Sequence, residues 1–188
     1  LGEAASYLGA SPLASPSARR LAIGSVTTPD GVWTVSPWWD GWRVGAAGPG
    51  QAVSGTSDNP LAGIAAGALA VGAAFESVRG RNDSWCEADL WPTEQGQTPP
   101  TFAEVYLPQA LWLIGLGNLG QAFLWALASL PYSNPEEVSL VLQDRDKVGS
   151  ENWSTSVLAR EENFGVLKTK VGEHWARARN FDVRRIDK

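Results

Sequence analysis

The sequence predicts an α/β fold with a mostly parallel sheet and helices on both faces, joined to a small N-terminal β-hairpin and helix. Three observations carry this. An apolar run, Leu111-Trp-Leu-Ile114, passes directly into Gly115-Leu-Gly117-Asn118-Leu-Gly120 and a helical stretch. A second apolar run, Leu140-Val141-Leu142, ends in Gln143-Asp144-Arg145-Asp146. Strand, glycine turn, helix and strand in that order argue for parallel pairing through a crossover. In the first half, short β-type runs are separated by turn residues, which argues for hairpins instead.

Taken in order, residues 1–20 are expected to start partly helical, broken by Pro12 and Pro16 and ending in Arg19-Arg20. Strands follow at Leu21–Ser25, Val32–Ser36 and Trp42–Gly45, with Pro29-Asp30-Gly31 and Asp40-Gly41 as the turns between them. Residues 46–59, rich in Gly, Ser, Ala and Pro, read as a loop. Asn59 before Pro60 supplies an N-cap and a first-turn proline, so a helix is expected to about Val78. Its apolar run, Leu61–Phe75, is short of the roughly 20 residues that span a bilayer, and its small residues suit close packing. Residues 79–101 are polar and proline-bearing and read as a linker. The domain boundary is therefore placed at 100/101: an N-terminal β/α element over 1–100 and a nucleotide-binding domain over 101–188. The second domain has strand, turn, helix and strand over about 110–143, a mostly irregular stretch over 147–163, and a helix from about Gly165 to Arg179. A further strand begins at Phe181.

Of 188 residues 44% are hydrophobic, which excludes broad disorder. The net charge of −5 divides into +3 on residues 159–188 and −8 on the rest, and argues against a broad nucleic-acid surface. A single cysteine, Cys86, rules out an intramolecular disulfide and fits a reducing, cytoplasmic setting; it is expected as a small buried residue beside Trp85. The chain starts at Leu1 and contains no methionine, as expected of a fragment or of a sequence from which methionines were left out. Ten tryptophans are many for this length. Trp33 and Trp42 are expected in the core of the small sheet, with Trp38-Trp39 capping a turn; a stacking platform for bases or sugars, or a partner interface, is the alternative. One histidine (His174, expected on a helix surface) and one cysteine leave no metal cluster and no Ser-His-Asp set.

The glycine turn is where the chemistry concentrates. Gly115 permits the tight turn off the strand, Gly117 lets backbone N–H groups approach a phosphate, and Gly120 lets the next helix pack closely. Asn118 belongs to the same turn. The helix N-terminus would aim its free amides and dipole at that phosphate. Asp144, at the end of the second strand, suits a ribose hydroxyl. The pattern is that of a Rossmann-like nucleotide site.

The run Asp144-Arg-Asp146-Lys-Val148-Gly-Ser-Glu-Asn152, continued by Asn163-Phe-Gly165-Val-Leu-Lys168, resembles the E1-like ThiF/MoeB family of adenylating enzymes. That family has D-x-D-x-V-x-x-S-N-x-x-R-Q, then G-x-x-K opening the next helix. The resemblance covers about residues 108–188, and the Asn59-Pro60 helix also looks like part of some bacterial ThiF-domain proteins. It implies binding of ATP with Mg²⁺ and attack of a carboxylate on the α-phosphate. That carboxylate is often the C-terminus of a ubiquitin-like or sulfur-carrier protein, and the products are an acyl-adenylate and pyrophosphate. By the same resemblance Asp144 is the ribose-binding acid, Asn152 the phosphate-side asparagine and Lys168 the phosphate-neutralising lysine, while Asp146 supports the loop or a metal through water. A homodimer is implied too.

The sequence also departs from the pattern. Thr155 stands where the family has a triphosphate-gripping arginine, and Ser156 where it has glutamine. A hydroxyl can hydrogen-bond a phosphate but cannot neutralise it. Arg145, Arg160, or an arginine such as Arg19 or Arg20 from a partner subunit are the candidate replacements. Two other readings stay open: a degenerate ThiF-like pseudoenzyme or dimerisation scaffold, motivated by Thr155, and an NAD-dependent oxidoreductase, for which the Asp144 spacing is tolerable.

Overall fold

The computed structural model of this chain describes residues 19–23, 33–48, 57–81, 85–94 and 97–188. The helical start expected before Arg19 and the Pro29–Gly31 turn lie outside these residues. The described residues form two compact units, one ending at Val105 and the other running from Tyr106 to Lys188.

The first unit is a four-stranded sheet in chain order. β1 (Arg20–Leu21) pairs parallel with β2 (Thr34–Asp40), which pairs antiparallel with β3 (Arg43–Ala47), which pairs antiparallel with β4 (Cys86–Asp89). The turn between β2 and β3 is Gly41-Trp42, with Gly41 at φ 58°, a left-handed conformation that glycine adopts without penalty. Three expectations are corrected here. Trp38 and Trp39 are not at a turn but inside β2, which runs on to Asp40. Trp38 lies directly opposite Gly45, whose missing side chain makes room for the indole. Residues 79–101 are not all linker, because β4 lies among them and forms the outer strand. Cys86, on that outer strand, is exposed and not buried. Trp42 is buried as expected, packs against Trp91 and Phe102, and donates its Nε1–H to the Pro100 carbonyl at 2.7 Å. Trp33 is only half-buried and stacks on Trp85.

α1 (Pro60–Val78) crosses this sheet. Asn59 caps it as expected: Oδ1 accepts from the Leu61 and Ala62 amides, and Nδ2 donates to the Gly41 carbonyl. Ala62, Ala66, Ala70, Ala73 and Ser77 recur every three or four residues and are buried. Such small side chains let the helix sit close over Val35, Val44 and Ala46. At 19 residues α1 has the length and composition of a membrane-crossing helix, a test that the shorter Leu61–Phe75 run did not meet. Its alanine stripe is packed on β2 and β3.

The second unit is a three-stranded, wholly parallel sheet in the order β5 (Ala110–Ile114), β6 (Ser139–Gln143), β7 (Asp182–Ile186). α2 (Asn118–Leu127) connects β5 to β6, and α3 (Lys168–Arg177) precedes β7. The expected α/β class with a parallel sheet is observed. Both helices stand on the same face: Leu124 of α2 and Gly172 of α3 meet over Leu142, in a core that includes Leu116, Leu140, Ala176, Phe181 and Val183. Helices were expected on both faces. Two crossovers stepping the same way across a sheet put their helices on one side, and the other side is reached only where strand order reverses. Trp112 and Ile114 of β5 are 60% and 70% exposed.

Candidate functional site

β5 and β6 end beside each other, with Ile114 paired to Gln143. From these two ends the chain builds a pocket of about 500 Å³ lined by Gly115, Gly117, Asp144, Arg145, Asp146, Lys168 and Lys188, among others. Ligands of open parallel sheets bind in this place, outside the carboxyl ends of the strands. Gly115 turns the chain off β5 at φ 87°. Nothing stands within 4 Å of where a side chain on Gly117 would project, so that side of the turn is open. Gly120 works at shorter range than expected: a Cβ there would overlap the Gly115 carbonyl oxygen, so its absence lets α2 start against the turn itself.

Asp144 braces the turn. Its Oδ2 accepts from the Leu116 amide at 2.6 Å and its Oδ1 from the Asp146 amide at 2.8 Å. A carboxylate has about four acceptor directions, so capacity remains for a ribose hydroxyl. Asp146 faces Lys168, with 3.6 Å between Nζ and Oδ2, and only 11% of the lysine side chain is exposed. Backbone pairing brings the two together: Lys168 N–H donates to the Asp146 carbonyl, and Val148 exchanges bonds with Val166 and Gly165. Gly165, at φ 79°, allows the return that lines these segments up. Two acidic residues and three basic ones thus line the site, counting Lys188, whose carbonyl accepts from Gln143 and which sequence reasoning did not single out. Only the end of β7 brings Lys188 here, so its number carries no signal in the sequence.

The remaining sequence-predicted residues stand beside this pocket, not in its lining. Asn152, 9% exposed, uses Oδ1 to accept from the Gly149 amide and so closes its own short turn. The Thr155 hydroxyl lies 3.0 Å from the Glu151 carbonyl and 3.3 Å from Oδ1 of Asn118. Ser156, buried, donates to the same Asn118 oxygen at 2.6 Å. Asn118 in turn lines a second, more apolar groove with Leu113, Ile114, Leu119 and Phe123. The hydroxyls that replace arginine and glutamine therefore hold the glycine turn's asparagine. Among the proposed replacement cations, Arg145 lines the pocket, whereas Arg19 is engaged by Ser77 and Trp33 in the first unit. His174 is exposed on α3 as expected. No group of three or more His, Cys, Asp or Glu side chains suited to a metal is present among the described residues.

Comparison with known proteins bears on both units. Residues 1–90 match the BilD N-terminal domain and residues 107–188 the BilD C-terminal domain. The chain is 36% identical over 198 residues to the bacterial E1-like protein BilD of Collimonas sp. (strain OK412), an alignment covering 96% of this chain and 42% of that protein. The chain thus spans about two fifths of the length of the curated relative it matches. Similar solved structures include E. coli tRNA N6-threonylcarbamoyladenosine dehydratase, TcdA, in complex with ATP (24% identity, 46% of this chain and 33% of that chain, TM-score 0.38). E. coli MccB with ATP is another (24% identity, 44% of this chain and 24% of that chain, TM-score 0.37). Matched in order by the models of both BilD domains, which together span most of its length, the chain is similar to the bacterial E1-like protein BilD.

Proposed function

We propose that the unit from Tyr106 to Lys188 binds ATP and serves ATP-dependent adenylation of a carboxylate. The C-terminus of a ubiquitin-like or sulfur-carrier protein is the substrate class that fits the resemblance, and a homodimer is the expected assembly. One observation carries the reading: Gly115, Gly117, Asp144, Asp146 and Lys168 line a single pocket at the carboxyl ends of two parallel strands. A nucleotide fits these residues. Gly117 offers an open backbone approach, Asp144 keeps acceptor capacity, and Lys168 is the most buried cation there. Asp146 is one carboxylate at the pocket, and Mg²⁺ is commonly held by one or two carboxylates together with phosphates. Bound ATP supplies the α-phosphate on which the carboxylate acts.

The protein's part is positioning and charge. The Lys168 backbone is bonded to the Asp146 carbonyl, and its largely buried ammonium is already partly stripped of water. Such a cation stabilises a phosphate more than a solvated one does. Lys168→Ala is expected to weaken MgATP binding by roughly 10- to 150-fold, the equivalent of losing a hydrogen bond to a charged group. Binding is followed by equilibrium titration of the folded variant, and wild-type affinity in that variant would remove the reading.

A specific observation favours the degenerate-site alternative: Thr155 is spent on Glu151 and Asn118. Thr155→Arg is expected to tighten ATP binding by about tenfold if only the cation is lacking. Unchanged affinity in that variant would count for Arg145 already filling the role.

A further inference from the structure

Gln121 is a polar side chain in the core of α2, 2% exposed, and both ends of its amide are used. Nε2 donates to the Leu116 carbonyl at 3.0 Å, and Oε1 accepts from the Leu158 amide at 3.0 Å. The first bond holds the glycine turn, and the second holds the segment that follows Thr155 and Ser156. We propose that Gln121 is a positioning residue for the nucleotide site, setting the Leu116–Gly117 peptide plane and tying the glycine turn to the 149–160 loop.

The argument rests on peptide geometry. The Leu116–Gly117 bond is trans, as are all those described, so its C=O and N–H point in opposite directions. Holding the Leu116 oxygen inward against a buried amide turns the Gly117 N–H outward, to the side where Gly117 lines the open pocket. Asp144 fixes the preceding peptide through the Leu116 N–H. The two side chains therefore pin consecutive peptide units, and Gly117, lacking a side chain, would otherwise let its plane rotate freely. The Gly117 amide donates no hydrogen bond among the described residues, which leaves it for an anion. Through Leu158, the same side chain sets where Thr155 and Ser156 meet Asn118.

This inference rests on the proposed ATP site, and its test separates the two. Gln121→Glu keeps the shape: the protonated acid can still donate to the Leu116 carbonyl, but the carboxylate cannot. Its ATP affinity relative to wild type is measured between about pH 6 and about pH 9, the span over which a buried glutamate loses its proton. The ratio is expected to fall by about tenfold towards the alkaline end and to recover on acidification. Gln121→Met, apolar at every pH, is expected to be weaker by about tenfold throughout with no pH dependence of its own. A Gln121→Glu ratio that is flat with pH and near wild type would overturn the proposal.

Amide hydrogen exchange on the wild-type chain decides the matter without nucleotide. The Gln121 side-chain amide is expected to be protected and the Gly117 amide not, with the Gly117 resonance shifted by inorganic pyrophosphate. A protected Gly117 amide, or one that pyrophosphate leaves unmoved, would overturn the positioning role. Failure of wild type to bind ATP would instead strike the ATP reading, leaving Gln121 to be judged on that exchange pattern.

Discussion

A methyl group on Gly120 would overlap the carbonyl oxygen of Gly115, and neither atom can yield without moving backbone. Gly120→Ala is therefore expected to destabilise the second unit by about 1–3 kcal/mol, the usual range for overpacking, measurable by denaturant unfolding. Stability within a few tenths of wild type would show that the turn is looser than described. Gly117 is the contrast: a side chain there meets nothing, so the fold itself does not require glycine at that position. This residue scale was partly legible in the sequence. The glycine spacing and the Asp144, Asp146 and Lys168 pattern point to one place, and Gly115, Gly117, Asp144, Asp146 and Lys168 line one pocket, while Gly120 packs against the turn behind it. Gln121 was not legible as a brace, because a glutamine in a helix is usually solvated, and only burial against Leu158 reveals its second bond.

At the scale of elements, short polar anchors decide how each strand or helix is entered. The Tyr132 hydroxyl donates to the Pro108 carbonyl at 2.7 Å, just before β5, and its ring meets Phe181 edge-on just before β7. Burial, with Tyr106 nearby, raises the Tyr132 pKa above the usual tyrosine value. A raised pKa means that the neutral form is favoured in the fold. The anchoring contribution is thus fully present below the unfolded tyrosine pKa and lost as pH rises through the folded one. Tyr132→Phe is expected to cost about 1 kcal/mol at neutral pH and to blunt the alkaline loss of stability, compared by thermal melts at neutral and alkaline pH. Identical alkaline profiles for the two proteins would remove this role. α1 was legible because Asn59-Pro60 and the alanine spacing are local signals. β4 was not. Its partner β3 lies some forty residues earlier, so the pairing that makes Cys86–Asp89 a strand leaves no mark in the polar segment around it.

At the scale of the whole molecule, two units of different construction share one chain: a mostly antiparallel sheet under an alanine-rich helix, and a parallel sheet with a nucleotide-type turn. Both match domains of a bacterial E1-like protein, and the second carries the pocket. The strand order β5-β6-β7 steps in one direction, so both helices share a face. The sequence gives the alternation of strands and helices, whereas the placement of the helices follows from strand order, which residue patterns do not encode. The measurement that tests the central claim most directly is calorimetric titration of the chain with ATP, in the presence and absence of Mg²⁺, beside the same titration with NAD. The account predicts saturable heat with ATP that is lost in Lys168→Ala, and weaker or no heat with NAD; preference for NAD, or ATP binding indifferent to Lys168, would contradict it.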